Sequence, residues 1–347
     1  MGDDKRLNIC HVLLSRGFAG SERSTAESCN EQVKNHSVCL IVKKSNRKSG
    51  KSILDYLDSR VEVVEVASVF LTQYQIQKAI RKLRPDVVHC HLRRATRILS
   101  KIKTRAALVS TLHIGVNGKH FYNMDGLVCN ARWQVESIAR EFKGIVLKAN
   151  NSLSPHSRLT DDEIQNLRKQ FGFNNQQLLI GAVGRLHESK AWDTLIAAYK
   201  GLSNPRQSVL TFFGGGGLEG NLKSQAGNTS NIRFFGHQDN IKDIYQMFDL
   251  LVCPSRFEPL PRVMLEGYDA GVPIIASDAG GCGELIEDYG GDVFEVDNVD
   301  ALAVLLQSFI DNPKASHRPD LSSHYIETAN QAMLTFYQQC INHRLSY

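Results

Sequence analysis

The sequence predicts an α/β protein of two domains, each built on its own parallel β-sheet. Short apolar runs alternate with segments of helical composition in both halves of the chain, which is typical of βαβ units. The alternation is interrupted at the polar stretch 150–158, which reads as a linker. The length of 347 residues also favours two domains.

The first half predicts a series of parallel strands. Apolar runs bounded by polar or turn-forming residues predict strands over 8–14, 37–42, 61–66, 86–90, 107–111, 126–129 and 144–147. Helices are expected at 22–34 and 72–83, because each segment has helical composition and connects two strands. We place this domain at 1–155.

The second half predicts a similar series. Strands are expected at 178–183, 208–213, 232–235, 250–253 and 274–276, and helices at 161–171, 192–200, 240–247, 262–270 and 300–310. Thr160 is the expected N-cap of the first helix. We place this domain at 156–320, and a last helix, 322–344, within a segment 321–347 that returns to the first domain. Two Rossmann-like domains of this kind would face each other across a cleft, the usual position of a ligand.

Composition and charge limit the classes of function. The beginning of the sequence has no apolar signal segment, and no run reaches the roughly 20 apolar residues that span a bilayer. The eight cysteines form no CxxC pair, as expected of reduced thiols in a cytoplasmic protein. Residues 1–150 hold 26 Lys and Arg against 13 Asp and Glu, although the whole chain has a net charge of only +5. This basic half suggests an anionic partner: nucleic acid, a phospholipid surface or an acidic carbohydrate-lipid. A solvated basic face without a partner is the alternative.

Charged side chains follow two strands of the second domain. Glu258 and Glu266 flank the predicted start of a helix, and Arg185 and Lys190 come just after an earlier strand. Ligands of open α/β sheets bind outside the carboxyl ends of the strands. Two cations there could bind a diphosphate, and ionised carboxylates accept hydrogen bonds from hydroxyl groups.

Four blocks in the second half resemble the donor domain of glycosyltransferase family 4, whose members are retaining enzymes with the GT-B fold. In chain order they are Gly184-Arg-Leu-His-Glu-Ser-Lys190, Phe213-Gly-Gly-Gly-Gly-Leu, Phe235-Gly-His with Tyr245 and Phe248-Asp, and the Glu258–Glu266 segment continuing to Gly280-Gly-Cys-Gly-Glu284. The first half is more weakly similar. Cys282 and Gly283 depart from the residues usual in the family.

The resemblance assigns roles to residues of the donor domain. Arg185 and Lys190 would bind the diphosphate, on which negative charge grows as the sugar leaves. Glu258 would contact hydroxyls of the donor sugar, and Glu266 would accept hydrogen bonds from the ribose. Further contacts with the donor are expected from Gly184, Gly214, Gly215, His237, Leu260, Pro261, Arg262 and Val263.

The first domain would contribute two further donor contacts. The segment 18–23 resembles the family's Gly-Gly-x-Glu-Arg loop, which implies that Gly20 and Ser21 approach the donor phosphate. An ordinary helix-capping turn is the alternative. His113, at a strand end, would reach hydroxyls of the donor sugar and would join Arg185, Lys190 and Glu258 as a catalytic residue.

Histidines and arginines suggest an acceptor or membrane side of the first domain. His89 and His91 alternate around Cys90, so that both imidazoles share one face of the strand. Further ligands at suitable spacing are missing, so we expect no metal and interpret His91 as lining the cleft. Arg93, Arg94, Arg97 and Lys101 would form one helical stripe that suits anionic lipid headgroups. No aromatic residue interleaves the basic runs, so nucleic acid is not the expected partner.

The resemblance implies a metal-independent, retaining transferase of the hexosyltransferase type. It would move a sugar from a nucleotide-sugar to a hydroxyl of a glycan or glycolipid, in the synthesis of lipopolysaccharide or another bacterial surface polysaccharide. No cofactor is expected; the donor would be a UDP-sugar, with GDP- or ADP-sugars as alternatives. We expect a cytoplasmic protein, peripheral on the inner face of the bacterial inner membrane. The alternatives are another GT-B enzyme, either a nucleotide-sugar epimerase or a sugar phosphorylase, and a non-catalytic partner subunit.

Overall fold

The computed structural model describes residues 6–48, 50–67, 71–203, 205 and 208–346. The chain divides into two compact units, Met1–Ser152 with Ser322–Tyr347, and Leu153–Leu321. Each unit contains one parallel sheet, so the predicted α/β fold class is confirmed.

The sheet of the first unit has seven parallel strands in the order β3-β2-β1-β4-β5-β6-β7. They are β1 (Asn8–Leu13), β2 (Ser37–Lys43), β3 (Glu62–Val66), β4 (Val87–His91), β5 (Ala107–Leu112), β6 (Gly126–Cys129) and β7 (Ile145–Lys148). Each strand end lies within one residue of its prediction. Long apolar side chains fill both faces, as expected for a sheet covered by helices.

Helices of the first unit are α1 (Gly20–Gln32), α2 (Thr72–Leu83), α3 (Leu92–Leu99), α4 (Arg132–Glu136) and α12 (Ile326–Leu345). The last helix packs on this unit as expected, with Phe336, Tyr337 and Cys340 buried in its core. It begins later than predicted, because residues Ser322–His324 form a separate 3-10 turn. The predicted basic stripe is also shorter, since α3 ends before Lys101.

The second unit has a six-stranded parallel sheet in the order β10-β9-β8-β11-β12-β13. Its strands are β8 (Leu178–Val183), β9 (Ser208–Phe213), β10 (Ile232–Gly236), β11 (Leu250–Cys253), β12 (Ile274–Ser277) and β13 (Asp292–Phe294). Its helices are α5 (Asp161–Gln170), α6 (Trp192–Lys200), α7 (Glu219–Ala226), α8 (Ile241–Tyr245), α9 (Arg262–Ala270), α10 (Gly281–Tyr289) and α11 (Val299–Asp311).

The sequence did not predict β13 or α7, and the helix expected at 240–247 is shorter in the structure. The predicted N-cap of α5 is confirmed, because the Thr160 hydroxyl accepts a hydrogen bond from the Glu163 N–H at 3.3 Å. Among the residues that the structure describes, no helix has both the length and the apolar character needed to cross a membrane.

Candidate functional site

The loops that carry the predicted donor residues lie at one edge of the second sheet. Strands β9, β8 and β11 are neighbours, and all run in the same direction. Their carboxyl ends therefore place three loops side by side: 184–191, 214–218 and 254–261. This edge is where open α/β sheets bind ligands.

The glycine-rich loop after β9 packs tightly on the loop after β8. A Cβ atom on Gly214 would lie 2.0 Å from the Gly184 carbonyl oxygen, and one on Gly216 would lie 2.3 Å from that of Leu186. These two glycines are therefore required for the contact between the loops. A Cβ on Gly215 would meet no atom within 4 Å, so the backbone there borders open space. The predicted donor contact of Gly215 stays a prediction.

Arg185 presents its guanidinium group to solvent. The side chain is exposed, and among the described residues it makes no hydrogen bond or ion pair. Its backbone is held in place, because the Trp192 indole donates a hydrogen bond to the Arg185 carbonyl oxygen at 2.8 Å. The loop thus holds the backbone of Arg185 in place and leaves its guanidinium available for a bidentate hydrogen bond.

Lys190 and Glu258 form an ion pair that links the β8 and β11 loops. Both side chains are largely buried, with 15% and 16% of their surface exposed. Burial acts to lower the pKa of Lys190, but the Glu258 carboxylate outweighs it and the pKa is raised. Lys190 is therefore a fixed positive charge at the edge of the sheet, and Glu258 has its carboxylate beside it.

Arg256 fixes the arrangement of these loops, and sequence reasoning did not identify it. Its guanidinium bonds Asp193 at 2.7 Å and Asp297 at 2.8 Å, and it also donates to the Glu188 carbonyl oxygen at 2.8 Å. The Arg256 N–H donates to the Ser189 carbonyl oxygen at 2.9 Å. Arg256 thereby attaches the loop that carries Lys190 to the loop that carries Glu258. The motif-like spacing of the neighbouring glutamates gave no signal for this role.

The segment around Glu258 is packed against the start of α10. The Gly281 N–H donates to the Glu258 carbonyl oxygen at 3.0 Å, and a Cβ on Gly281 would lie 2.2 Å from the Pro259 carbonyl oxygen. Leu260 is buried, and Pro261 is the N-cap of α9. The first turn of α9 contains Arg262 and Val263, both half-buried.

Glu266 and His237 differ in their surroundings. Glu266 lies in the second turn of α9 and is 5% exposed. A buried carboxylate requires polar partners, and the hydroxyl groups of a ribose could serve as such partners by donating hydrogen bonds to it. His237 follows β10 and is exposed, with its Nε2 3.4 Å from an Asp239 carboxylate oxygen.

Four histidines lie close together on β1, on β4 and directly after β5; His11, His89 and His91 are buried, and His113 is half-buried. His11 Nδ1 lies 3.0 Å from His91 Nε2, and the rings of His89 and His91 lie 4.4 Å apart on one face, as predicted. His113 follows β5, with its ring 5.7 Å from that of His91. Burial lowers the pKa of His11 and of His113 to about 4, so these imidazoles are neutral at pH 7. The Nε2 atom of His113 has no hydrogen-bond partner in the described structure.

Ring nitrogens of His11, His89 and His91 lie within 4.8 Å of one another, so the expected shortage of nearby ligands was wrong. Protein groups already occupy most of these nitrogens. His11 Nε2 lies 2.9 Å from the Gln32 side-chain oxygen, while the two nitrogens of His89 lie 2.6 Å from the Tyr337 hydroxyl and 2.7 Å from the Thr111 hydroxyl. The cluster is thus hydrogen-bonded by the protein itself.

The start of α1 carries the predicted Gly20 and Ser21. The Glu22 carboxylate accepts hydrogen bonds from the Ala19 N–H at 3.1 Å and from the Ser21 hydroxyl at 3.0 Å, so this segment is a helix-capping turn. A Cβ on Gly20 would meet no atom within 4 Å, which leaves the backbone accessible. Capping and phosphate contact are compatible, and the donor role of both residues stays a prediction.

Comparisons with known proteins place these loops in a family context. Residues 163–327 match the family model described as "Glycosyl transferases group 1". The O-antigen biosynthesis glycosyltransferase WbnH of Escherichia coli is 38% identical over 119 residues, which are 34% of each chain. The glycogen synthase of Mycobacterium tuberculosis is 30% identical over 264 residues, 69% of this chain and 63% of the relative. The chain thus spans between a third and 63% of the lengths of these relatives.

A solved structure matches the whole chain. Anabaena Alr3699/HepE, in complex with UDP and glucose, superposes with a TM-score of 0.73 and 19% identity, and the match covers 99% of this chain and 100% of that one. At this identity the likeness concerns the fold. The fold is therefore GT-B, and residues 163–327 are similar to the glycosyltransferase group 1 family model.

Proposed function

We propose that the protein is a retaining glycosyltransferase that moves a sugar from a nucleotide-sugar to a hydroxyl of a glycan or glycolipid. The observation that carries this proposal is the group formed by Arg185, Lys190 and Glu258 at the carboxyl edge of the second sheet. Two cations and a carboxylate on neighbouring loops match a diphosphate joined to a sugar. These loops lie within the segment that matches the glycosyltransferase model.

The two cations would stabilise the leaving diphosphate. Exposed Arg185 can form a bidentate contact with a phosphate, and Lys190 can share its ammonium group between the phosphate and Glu258. Both stabilise the negative charge that develops as the bond to the anomeric carbon breaks. Glu258 and Glu266 would hold sugar and ribose hydroxyls as hydrogen-bond acceptors.

The transfer step needs no carboxylate nucleophile in this proposal. The acceptor hydroxyl attacks the anomeric carbon on the face from which the diphosphate leaves, and the leaving phosphate oxygen takes the hydroxyl proton. The configuration at the anomeric carbon is therefore retained. No metal is required, because Arg185 and Lys190 supply the positive charge. We propose a hexosyl donor carried by UDP; HepE was solved with UDP and glucose.

The proposed acceptor is a growing bacterial surface glycan on a lipid. The name of the matching Escherichia coli relative refers to O-antigen biosynthesis. The basic character of residues 1–150 and the exposed Arg93, Arg94 and Arg97 on α3 support an anionic, membrane-bound acceptor. The proposed location is the cytoplasmic face of the inner membrane, held there peripherally.

Nucleotide binding is the first test. Thermal stabilisation by UDP, GDP and ADP should identify the base, and Arg185→Gln should weaken binding by about tenfold or more. Lys223→Gln is the matched control, because Lys223 is an exposed lysine of the same unit that pairs with its helical neighbour Glu219 and lies over the Phe234 ring. Equal nucleotide affinities of the two variants would contradict the proposal that Arg185 binds the diphosphate.

The second test separates the transferase from its alternatives. A transferase releases nucleoside diphosphate and forms a glycoside when acceptor is added, and NMR of the product should show the anomeric configuration of the donor. Equal rates with and without EDTA are expected. An epimerase would convert the nucleotide-sugar without acceptor, a phosphorylase would require inorganic phosphate, and a non-catalytic subunit would give no turnover.

A further inference from the structure

A wide groove lies between α2 and α3 of the first unit. It has a volume of about 870 Å³ and is formed by the first turns of α2 and the polar face of α3. The residues used below are Leu71, Gln73, Tyr74 and Gln77 from the α2 side, and Arg93 and Arg97 from the α3 side. We refer to it as the α2–α3 groove.

The charge of the α2–α3 groove is entirely positive. Of the residues that the structure describes, three arginines line it and no acidic residue does. Arg93 and Arg97 are exposed and form no ion pair within the described part of the chain. Burial, together with the charges of Arg93 and Arg97, lowers the pKa of the nearby His120. Like charges that line one groove repel one another, and a bound anion relieves this repulsion; guanidinium groups fit phosphate oxygens in a bidentate manner.

Uncharged donors complete the polar wall. The side-chain amides of Gln73 and Gln77 line the groove and can each donate to a phosphate oxygen. The N-terminus of α2 also lies at the groove, and its N-cap, Leu71, supplies no side-chain hydrogen bond. The positive end of the helix dipole therefore adds to the field of the arginines.

Two apolar side chains stand at the rim of the same groove. Leu71 is 66% exposed and Tyr74 is 63% exposed. Leu71 also has a φ of 65°, a left-handed conformation that is unfavourable for a leucine. An exposed leucine and tyrosine beside Arg93 and Arg97, which form no ion pair among the described residues, are poorly explained by a small soluble anion. They suit the interface of a bilayer, where the ring and alkyl groups enter and the cations remain at the headgroups.

We propose that the α2–α3 groove binds the phosphoryl group of an anionic lipid headgroup, with Leu71 and Tyr74 entering the bilayer interface. This inference deepens the proposed function, because it rests on a lipid-bound acceptor and assigns the contact to one groove. The basic surface as a whole would attract any anionic membrane. The groove would instead provide a discrete site, dependent on the particular arginines that line it.

The test compares two double variants of the full chain that remove equal charge from one basic run. Arg93→Gln with Arg97→Gln changes the groove, whereas Lys101→Gln with Lys103→Gln changes exposed lysines outside it. Binding to phosphatidylglycerol vesicles and to pure phosphatidylcholine vesicles is measured by co-sedimentation. We expect the arginine variant to bind phosphatidylglycerol vesicles at least about tenfold more weakly than the wild type. The lysine variant should bind them within about twofold of the wild type. Tyr74→Ser should also weaken binding without changing the net charge.

Each other outcome overturns the inference in a distinct way. Equal losses in the two double variants would indicate general charge attraction and no discrete site. Unchanged vesicle binding of the arginine variant would exclude the groove. Loss of inorganic phosphate or glycerol phosphate binding with intact vesicle binding would indicate a soluble phosphate ester as the ligand. UDP binding and urea unfolding followed by Trp133 fluorescence are measured on the same samples. Both should be equal in all variants, which shows that the donor site is intact and that the first unit folds. Absence of UDP binding in the wild type would contradict the proposed function while leaving the vesicle result interpretable.

Discussion

Acidification should destabilise the first unit selectively, because its histidine cluster is buried in the neutral form. His11 is fully buried, and burial lowers its pKa from 6.5 to about 4. Burial also lowers the pKa values of His89 and His91 well below that of free histidine, and the neighbouring histidines add to the effect. Unfolding exposes these rings, so the unfolded chain binds protons that the folded unit excludes.

The sign and size of the effect follow from the His11 pKa. Well above pH 6.5 the ring is neutral in both states, and its titration has no effect on stability. As the pH falls from 6.5 towards 4, only the unfolded state is protonated, so the free energy of unfolding decreases. For His11 alone the loss at pH 5 is about 2 kcal/mol. His113, with a pKa of about 4, should add a similar amount, since it shifts in the same direction.

The second unit should respond much less over the same range. Burial acts to raise the pKa of Asp269, but hydrogen bonds from His156 and Arg158 outweigh it and lower the value to about 2. The stability that this carboxylate contributes is complete above pH 3.8 and is lost only as the pH falls towards 2. That loss lies below the window from pH 8 to pH 5.

The two tryptophans allow each unit to be observed separately. Trp133 lies in the first unit and Trp192 in the second, and the chain has no others. Urea unfolding of Trp192→Phe at pH 8 and pH 5 therefore reports on the first unit, and Trp133→Phe reports on the second. The Trp133 transition should move to markedly lower urea at pH 5, whereas the Trp192 transition should change little.

A substitution at His11 provides the control. His11→Gln should lower the stability of the first unit at pH 8, because a buried contact is lost, and it should also reduce the loss between pH 8 and pH 5 by about 2 kcal/mol. If the Trp133 transition is insensitive to pH, or if His11→Gln keeps the full pH dependence, the assignment of acid sensitivity to this cluster is incorrect.

Further predictions concern the candidate donor site. Gly216→Ala should place a methyl group against the Leu186 carbonyl oxygen, destabilise the second unit by about 1–3 kcal/mol and weaken nucleotide binding. Gly217→Ala is the control and should change neither quantity much, because its Cβ meets open space. Urea unfolding and UDP titration compare the two variants. Arg256→Gln should loosen the loop that carries Lys190 and so weaken UDP binding, although Arg256 itself is not expected to contact UDP. An unchanged dissociation constant for UDP would show that the contacts of Arg256 do not position the site.

The sequence predicts most strands of both sheets because buried parallel strands are continuous apolar runs. Predictions fail where this signal is weak. Strand β13 has only three residues, and α7 follows a run of glycines and has little apolar periodicity. Helical composition indicates α10 only over 284–288, and the structure begins the helix earlier, at Gly281, where two of the first three residues are glycines that suggest a turn.

The histidine cluster shows why part of a site stays hidden in the sequence. The pair His89 and His91 was placed on one face from alternation alone, and the structure agrees. His11 lies about 80 positions earlier in an ordinary apolar run and joins them only through the register of β1 and β4, which pairs His11 with His89. Register between distant strands cannot be deduced from local spacing.

The environments of Arg185 and Lys190 imply different consequences of removing each charge. Arg185→Gln removes an exposed cation that has no partner among the residues described, so the folded protein should keep its stability while UDP binding weakens. Lys190→Gln also leaves the largely buried Glu258 carboxylate without its counter-ion, so it should cost stability as well as affinity. Adding Glu258→Gln to Lys190→Gln should restore stability, because a neutral pair remains, but it should not restore UDP binding. Restored binding in this double variant would mean that Lys190 acts only by neutralising Glu258 and makes no contact with the diphosphate.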